Sequence, residues 1–187
     1  NSKESELILD DKNIQVSTIP LKHRILTNGF LFKEKPRLHK MKGEKLKFYD
    51  IPHYEIQKLK EGKDYELPTG EVILNSTLTF PPEKARSYAF CSDTAYREKI
   101  IPIIQGVDVL YHETTFLEKQ KELAKKTFHS TAKQTGSIAD QAKVGKLLIG
   151  HFSARYTEAD HPNFVNEVQS EFDNVEIAEE GRAYGIG

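Results

Sequence analysis

The stretch Val107-Asp108-Val109-Leu110-Tyr111-His112-Glu113-Thr114-Thr115 changes character halfway along. Its first part, Val107–Tyr111, has the β-branched and aromatic side chains typical of a strand. Its second part places a histidine and a glutamate, His112 and Glu113, directly after that strand. Such side chains bind metal ions and transfer protons, so the end of this strand is a candidate site.

The same order recurs on both sides of this stretch. Ser87–Cys91 is predicted to be a strand followed by Asp93, and Lys146–Ile149 a strand followed by His151. Helices are expected after the strands, and this alternation predicts an α/β protein. In α/β sheets, functional sites form beyond the carboxyl ends of the strands, where the following loops converge.

Each of these residues also has a simpler structural interpretation. Asp93 could cap a following helix, His151 could be a hydrogen-bonded histidine at a strand end, and Glu113 could pair with its neighbour. His129 could be a solvent-facing residue before a helix that begins near Ser130 or Thr131. Taken together, polar groups at three neighbouring strand ends favour a functional site. The spacing alone leaves the kind of site open.

Composition limits the alternatives. The chain has 187 residues, of which 37% are hydrophobic and 29% charged, as in a single globular domain and unlike collagen or a wholly disordered chain. No apolar run approaches the roughly 18–20 residues of a membrane span, and no signal-like segment opens the chain. The single cysteine, Cys91, cannot form an internal disulfide, so a cytoplasmic protein is expected.

Charge is concentrated in one segment. Between Lys33 and Lys63 there are ten Lys or Arg residues and five Asp or Glu residues, whereas the whole chain has a net charge of −1. A basic segment on a mildly acidic body indicates a polyanionic partner, although a solvated basic loop explains the same pattern.

The remaining elements are predicted from local pattern. We expect three N-terminal strands, a short helix in the basic segment, a late helix and two final strands: Glu6–Asp10, Ile14–Ile19, Gly29–Phe32, Tyr54–Lys60, Asn163–Phe172, Val175–Ala178 and Ala183–Ile186. A helix that takes in Ile100 is also expected.

Five phrases, in order along the chain, resemble motifs of ribonuclease Z, the tRNA 3′-processing endonuclease family with a metallo-β-lactamase fold. They are Pro20-Leu21-Lys22-His23-Arg24, Cys91-Ser92-Asp93-Thr94, Tyr111-His112-Glu113-Thr114-Thr115-Phe116, His129-Ser130-Thr131 and Gly150-His151-Phe152-Ser153-Ala154-Arg155-Tyr156. The resemblance implies an αββα sandwich, of which residues 1–187 form the C-terminal portion of a single domain. It also implies that residues 33–70 are an inserted tRNA-binding arm.

The resemblance further implies roles for individual residues. His23, Asp93 and His151 match metal ligands of two zinc ions, with Asp93 as the bridging carboxylate. His129 matches the histidine that protonates the leaving 3′-oxygen, and Glu113 the carboxylate that supports it. Arg155 and Ser153 are expected to contact the substrate phosphate, and the arm to contact tRNA through Lys40, Lys42, Lys45, Lys47, Lys58 and Lys60.

The implied activity is zinc-dependent endonucleolytic removal of 3′ trailers from precursor tRNA, which leaves a 3′-hydroxyl, by a cytoplasmic homodimer. The sequence departs from the family pattern in two ways, and both bear on this implied activity. The family's His-x-His-x-Asp-His motif is absent, since no His-x-His pair occurs among the seven histidines. We therefore expect a C-terminal part of a longer enzyme that is inactive alone. The arm also lacks the family's Gly-Pro motif.

Two other functions remain open at this stage. The chain could be a catalytically silent RNA-binding or scaffold half of the same fold, although a silent half would be free to lose His23, Asp93, His129 and His151. It could also be a hydrolase of small esters on the same fold. A small substrate has no need of a basic segment that follows phosphates, which argues against this second alternative.

Overall fold

A computed structural model describes residues 4–186 of the protein. The chain divides into two units, one formed by residues 1–34 and 86–187 and the other by residues 35–85. Along the chain the strands and α-helices are β1 (Leu7–Asp10), β2 (Ile14–Pro20), β3 (Asn28–Glu34), β4 (Lys40–Met41), α1 (Gly43–Phe48), α2 (Ile56–Lys60), β5 (Tyr65–Glu66), β6 (Val72–Ile73), α3 (Asn75–Leu78), β7 (Thr79–Phe80), β8 (Ser87–Cys91), β9 (Val109–Glu113), α4 (Lys121–Thr127), α5 (Ala132–Gln141), β10 (Lys146–Gly150), α6 (His161–Gln169) and β11 (Val175–Ile177).

The larger unit is built on a seven-stranded mixed sheet in the order β1-β2-β3-β8-β9-β10-β11. The pairs from β1 to β8 are antiparallel, and those from β8 to β11 are parallel. Cys91 on β8 lies beside His112 on β9, which lies beside Ile149 on β10. Because these strands run parallel and in this register, the residues that follow them emerge at one edge of the sheet.

One face of this sheet forms the main core. Leu31, Ala89, Leu110 and Ile149 are buried there together with residues of α5 and α6, including Phe164. Burial of this kind contributes about 25 cal/mol per Å² of apolar surface and holds the helices on the sheet. The core therefore fixes the strand ends that carry the candidate site.

The opposite face of the sheet carries aromatic side chains. Phe32 stacks on Tyr88 with 5.9 Å between ring centroids, and Phe90 stacks on Tyr111 at 4.9 Å. Burial between these rings raises the pKa of Tyr88 to about 12. On β3, Gly29 leaves no room for a side chain, because a Cβ there would lie 2.2 Å from the carbonyl oxygen of Phe90.

The smaller unit, residues 35–85, has its own core. Leu59, Tyr65, Ile73 and Leu78 are buried together in it. Asn75 links its segments, since its side-chain amide donates to the carbonyls of Leu59 and Lys63 at 2.7 and 2.8 Å. The expected arm, residues 33–70, thus ends short of the last segments of this unit.

The α/β class is confirmed, and most predicted strands are present. Ala183–Ile186 is not a strand, because Tyr184 instead ties this segment down through its hydroxyl, which lies 3.0 Å from the carbonyl oxygen of Ile177. Ile100 lies in a 3₁₀ turn, Glu98–Ile100, rather than in an α-helix. Within residues 4–186, none of the helices combines the length and apolar character that crossing a membrane requires.

Candidate functional site

Asp93 and His151 meet where β8 and β10 end. Oδ1 of Asp93 lies 3.3 Å from Nε2 of His151. Both residues have positive φ angles, 56° and 62°, a conformation that Asp and His adopt more readily than most residues. These turns at the strand ends direct the two side chains toward each other.

Glu113 is the buried centre of the site. Its side chain at the end of β9 is fully buried, and backbone N–H groups of Thr94, Thr115 and Ser130 donate to its carboxylate at 2.9, 3.1 and 3.3 Å. Burial alone would raise the pKa of Glu113, but hydrogen bonds from His129 and Thr115 outweigh burial and hold the pKa below its ordinary value. The carboxylate is therefore ionised and firmly oriented.

His129 binds this carboxylate directly. Its Nδ1 lies 2.8 Å from Oε1 of Glu113, and this hydrogen bond raises the pKa of His129. The residue before it, Phe128, ends α4 with a φ of 63°, and Thr131 caps α5 two residues later. Two helix ends therefore set the position of the imidazole.

Asp93, His129 and His151 form a cluster that could hold a metal ion. One ligand atom from each lies within 4.8 Å of the other two. Ligands on a tetrahedral zinc ion at about 2.0–2.2 Å are separated by roughly 3.3–3.6 Å, which the Asp93–His151 distance of 3.3 Å matches. Imidazole and carboxylate are also the donors that zinc prefers. The residues present fit such an ion.

His23 lies at the same edge of the sheet but outside that cluster. Its ring centroid is 5.4 Å from that of His129, and the ring of His129 is 5.4 Å from that of His151. The Nδ1 of His23 lies 3.2 Å from the carbonyl oxygen of Phe128. A carbonyl oxygen can only accept a hydrogen bond, so the proton of the neutral imidazole lies on Nδ1. Nε2 of His23 is then an acceptor.

The sequence-based ligand set and the observed cluster therefore differ in one member. The expected ligands were His23, Asp93 and His151, whereas the cluster joins His129 to Asp93 and His151. His129 follows the left-handed residue Phe128, and its ring lies 5.4 Å from that of His23.

Arg155 and Ser153 lie together on the loop after β10. Nε of Arg155 donates to Oγ of Ser153 at 3.2 Å, and the guanidinium lies 5.3 Å from the ring centroid of Phe116. The guanidinium is exposed, and it has no carboxylate within 4.0 Å among residues 4–186. Its donors can therefore reach an anion.

Sequence reasoning missed the hydroxyl groups that organise the site. Thr115 bonds Glu113 and His151, and Ser130 donates through its hydroxyl to the carbonyl of Thr94 at 2.7 Å. The available signal was their position, since Ser130 directly follows His129 and Thr115 comes two positions after Glu113. His112 is not a member of the cluster, and its Nδ1 bonds the carbonyl of Glu113 at 2.7 Å instead. Burial lowers the pKa of His112.

The six lysines expected in the arm all lie in the smaller unit. Lys58 pairs with Glu55 at 2.9 Å, and Lys42 donates to the carbonyl of Ser76 at 2.7 Å. The other four have no carboxylate within 4.0 Å in the described part of the chain: Lys40, Lys45, Lys47 and Lys60.

Comparison with known proteins identifies relatives of this chain. It is 48% identical over 177 residues to a protein named Ribonuclease Z from Phocaeicola vulgatus, a match that covers 95% of this chain and 57% of that protein. It is 46% identical over 185 residues to a Ribonuclease Z from Bacteroides thetaiotaomicron, covering 99% of this chain and 58% of the relative. The chain thus spans under two thirds of these relatives. No family model matches it.

Solved structures show the fold. A metallo-β-lactamase fold protein from Bacillus subtilis aligns with a TM-score of 0.60 and 16% identity over 95% of this chain and 52% of that one. The short form of human tRNase Z aligns with a TM-score of 0.59 and 20% identity, over 98% and 47%. The chain is therefore similar to curated Ribonuclease Z proteins and has the metallo-β-lactamase fold over the part it matches, as its motifs predicted.

Proposed function

We propose that this chain is the part of a ribonuclease Z that carries the proton-donating pair and one group of metal ligands. The enzyme would remove 3′ trailers from precursor tRNA and leave a 3′-hydroxyl. The observation that carries the proposal is the Glu113–His129 pair, 2.8 Å apart, beside the Asp93–His151 pair. Its similarity to proteins named Ribonuclease Z supports the substrate class.

Metal binding is assigned to His23, Asp93 and His151, with two zinc ions in the complete site. The ring centroid of each histidine lies 5.4 Å from that of His129, and the two carboxylate oxygens of Asp93 would suit a bridging role. When bound, zinc supplies a Lewis acid that polarises the phosphate and activates water.

His129 is assigned as the general acid. Water adds to phosphorus and loses a proton to solvent, the bond from phosphorus to the 3′-oxygen breaks, and that oxygen takes a proton from Nε2 of His129, which regains one from solvent before the next turnover. Glu113 remains ionised throughout. It accepts a hydrogen bond from the Nδ1–H of His129 and stabilises the imidazolium before the proton is transferred. The hydrogen bond to Glu113 raises the pKa of His129, which favours the protonated, proton-donating form.

Arg155 and Ser153 are assigned to the phosphate. The guanidinium is held by Ser153 and by the face of Phe116, and its planar array of donors matches phosphate oxygens.

Residues 33–70 are assigned as the tRNA-binding arm, and all but the first two of these residues lie in the smaller unit. Of the six lysines expected to contact tRNA, five have no ion-pair partner in the described chain. Phe48 and Tyr54 are 77% and 76% exposed, as suits contact with phosphates and bases. A homodimer in the cytoplasm is the setting we propose for this arm.

A chimera tests the proposal. The part of the Phocaeicola vulgatus relative that this chain does not match is joined to residues 1–187, and the protein is loaded with zinc and given a precursor tRNA with a 3′ trailer. We expect cleavage at the trailer junction with a 3′-hydroxyl product. A folded, zinc-loaded chimera that hydrolyses bis(p-nitrophenyl) phosphate but leaves the precursor intact would overturn the assignment.

A further inference from the structure

The hydroxyl of Thr115 lies between Glu113 and His151. Its Oγ1 is within hydrogen-bond distance of Oε2 of Glu113 and 3.0 Å from Nδ1 of His151. The same oxygen lies 3.0 Å from the carbonyl oxygen of His151. Thr115 is 5% exposed, so bulk water does not compete for these contacts.

The number of available protons determines which groups donate and which accept in the hydrogen bonds of Thr115. A threonine hydroxyl has one proton and can accept from further donors. The ionised Glu113 carboxylate makes the stronger, charge-assisted acceptor and receives that proton. The contact between Oγ1 and Nδ1 of His151 then requires the proton to be on Nδ1.

We propose that Thr115 is a positioning residue that relays the charge of Glu113 to His151, so that one buried carboxylate sets the tautomers of His129 and His151. Oε1 of Glu113 fixes the Nδ1 proton of His129 directly, at 2.8 Å, and Oε2 fixes that of His151 through the hydroxyl. That His151 is a metal ligand rests on the proposed function.

The consequence is that both imidazoles present Nε2 as an acceptor. Nε2 of His151 faces Oδ1 of Asp93 at 3.3 Å, so two acceptors face each other. A divalent cation bound by both atoms satisfies this arrangement. Outer hydrogen bonds of this kind orient a ligand and raise its basicity, and their loss typically weakens metal binding about 10–100-fold.

Backbone bonds hold the relay in place without the hydroxyl. The N–H of Thr114 donates to the carbonyl of Gly150 at 2.8 Å, and that of Ser153 donates to the carbonyl of Thr115 at 3.1 Å. Replacing Thr115 by Val therefore removes the hydroxyl while the two loops remain joined.

The test measures tautomers by long-range ¹H–¹⁵N NMR on the metal-free chain, at a pH where both imidazoles are neutral. In the wild type we expect the proton on Nδ1 of both His129 and His151. Thr115→Val is expected to give mixed tautomers at His151 only, Thr115→Ser to restore Nδ1, and Glu113→Gln to disturb both rings.

Thr114→Val is the matched control. Thr114 is the adjacent buried threonine, and its hydroxyl lies 3.3 Å from the carbonyl of His112 rather than near His151. Zinc affinity, measured by chelator competition, should fall about 10–100-fold in Thr115→Val and stay within about twofold in the control. If Thr115→Val does not fold, Thr115→Ala against Thr115→Ser gives the same comparison.

An unchanged Nδ1 proton at His151 in Thr115→Val would overturn the relay. Because the tautomer is read without metal or RNA, this result is independent of cleavage. A chimera with the expected tautomers but without cleavage of precursor tRNA contradicts the proposed function and leaves the relay standing.

Discussion

Glu113 and His129 form a hydrogen-bonded pair, with 2.8 Å between Oε1 and Nδ1, although 16 positions separate them. The carboxylate is fully buried at the end of β9, whereas the imidazole is partly exposed beside the Asp93–His151 pair. A buried anion that holds a partly exposed histidine is an arrangement suited to proton transfer, because the histidine keeps one nitrogen for the substrate.

The first prediction concerns His129. In the chimera, His129→Ala should slow precursor cleavage about 10²–10⁴-fold, because it removes the proton donor. Binding of precursor tRNA should be nearly unchanged, because His129 donates its proton only in the transition state and not in the bound substrate. Rates under single turnover and a binding isotherm measure the two effects.

Zinc content separates a proton donor from a ligand. His53→Ala, which replaces an exposed histidine of the smaller unit, is the control and should bind zinc as the wild type does. His129→Ala should bind zinc normally. A zinc-depleted His129→Ala protein would show that His129 is a ligand, as its place in the Asp93–His151 cluster allows.

The second prediction is a pH dependence of folding stability. The pKa of His129 is raised, so its stabilising effect is present below about 6.5, the ordinary value, and is lost as the pH rises through the raised folded value. The pKa of Glu113 is lowered, so its effect is present above about 4.3 and is lost as the pH falls through the lowered folded value. The pair therefore stabilises most between about pH 4.3 and 6.5.

Urea unfolding with EDTA present measures this effect. The difference in free energy of unfolding between the wild type and Glu113→Gln should be larger at about pH 5.5 than at about pH 9. Part of the loss is independent of pH, because the amide that Glu113→Gln introduces cannot serve all the donors that face the carboxylate. A difference that grows toward high pH would contradict the assigned directions.

The site could be predicted from sequence only in part. The strand ends at Asp93, Glu113 and His151 follow from local pattern and from the rule that parallel strands end at one edge. The pairing of Glu113 with His129 came from motif resemblance, because no spacing rule links a strand end to a helix cap 16 positions later. The Thr115 contacts depend on the positive φ of His151, which the sequence does not reveal.

The core of the smaller unit also could not be predicted from the sequence. No strong apolar stripe marks the sequence of the basic segment, yet Leu59, Tyr65, Ile73 and Leu78 form a core in the smaller unit. These residues follow neither a helical nor an alternating period, since they come from short elements joined by turns. A periodicity argument therefore cannot detect them.

The third prediction concerns metal binding by the chain itself. Asp93→Asn and His151→Gln should each weaken zinc binding more than about tenfold, because each removes a charge or a donor from the pair 3.3 Å apart. Asp160→Asn, on a 3₁₀ turn without buried residues, is the matched control for charge. Equal affinities for Asp93→Asn and Asp160→Asn would place the ion elsewhere.

The fourth prediction concerns Cys91. Its side chain is fully buried, and burial raises the pKa of the thiol to about 12, so the reactive thiolate is scarce. Ellman's reagent should react with less than a tenth of the chains under native conditions and with one thiol per chain in guanidinium. Fast native labelling would mean that the end of β8, two residues before Asp93, opens readily.

The last prediction is that the smaller unit can be removed. The N–H of Glu34 donates to the carbonyl of Arg86 at 2.9 Å, and the two side chains form an ion pair, so the cut ends on β3 and β8 already lie together. Residues 35–85 can therefore be replaced by a short Gly-Ser linker. A cut at residue 63 would instead leave Tyr65, Ile73 and Leu78 without their core partner Leu59.

In the chimera, this deletion should spare hydrolysis of bis(p-nitrophenyl) phosphate, because the site residues all lie in the larger unit. Affinity for precursor tRNA should fall at least about tenfold, and its dependence on salt should flatten, since each phosphate contact releases counterions. The triple variant Lys40→Gln, Lys45→Gln and Lys47→Gln, with the unit intact, should reproduce much of the loss of tRNA affinity. Equal loss on both substrates would mean that the unit supports the fold, and an unchanged tRNA affinity would mean that its lysines are only a solvated surface.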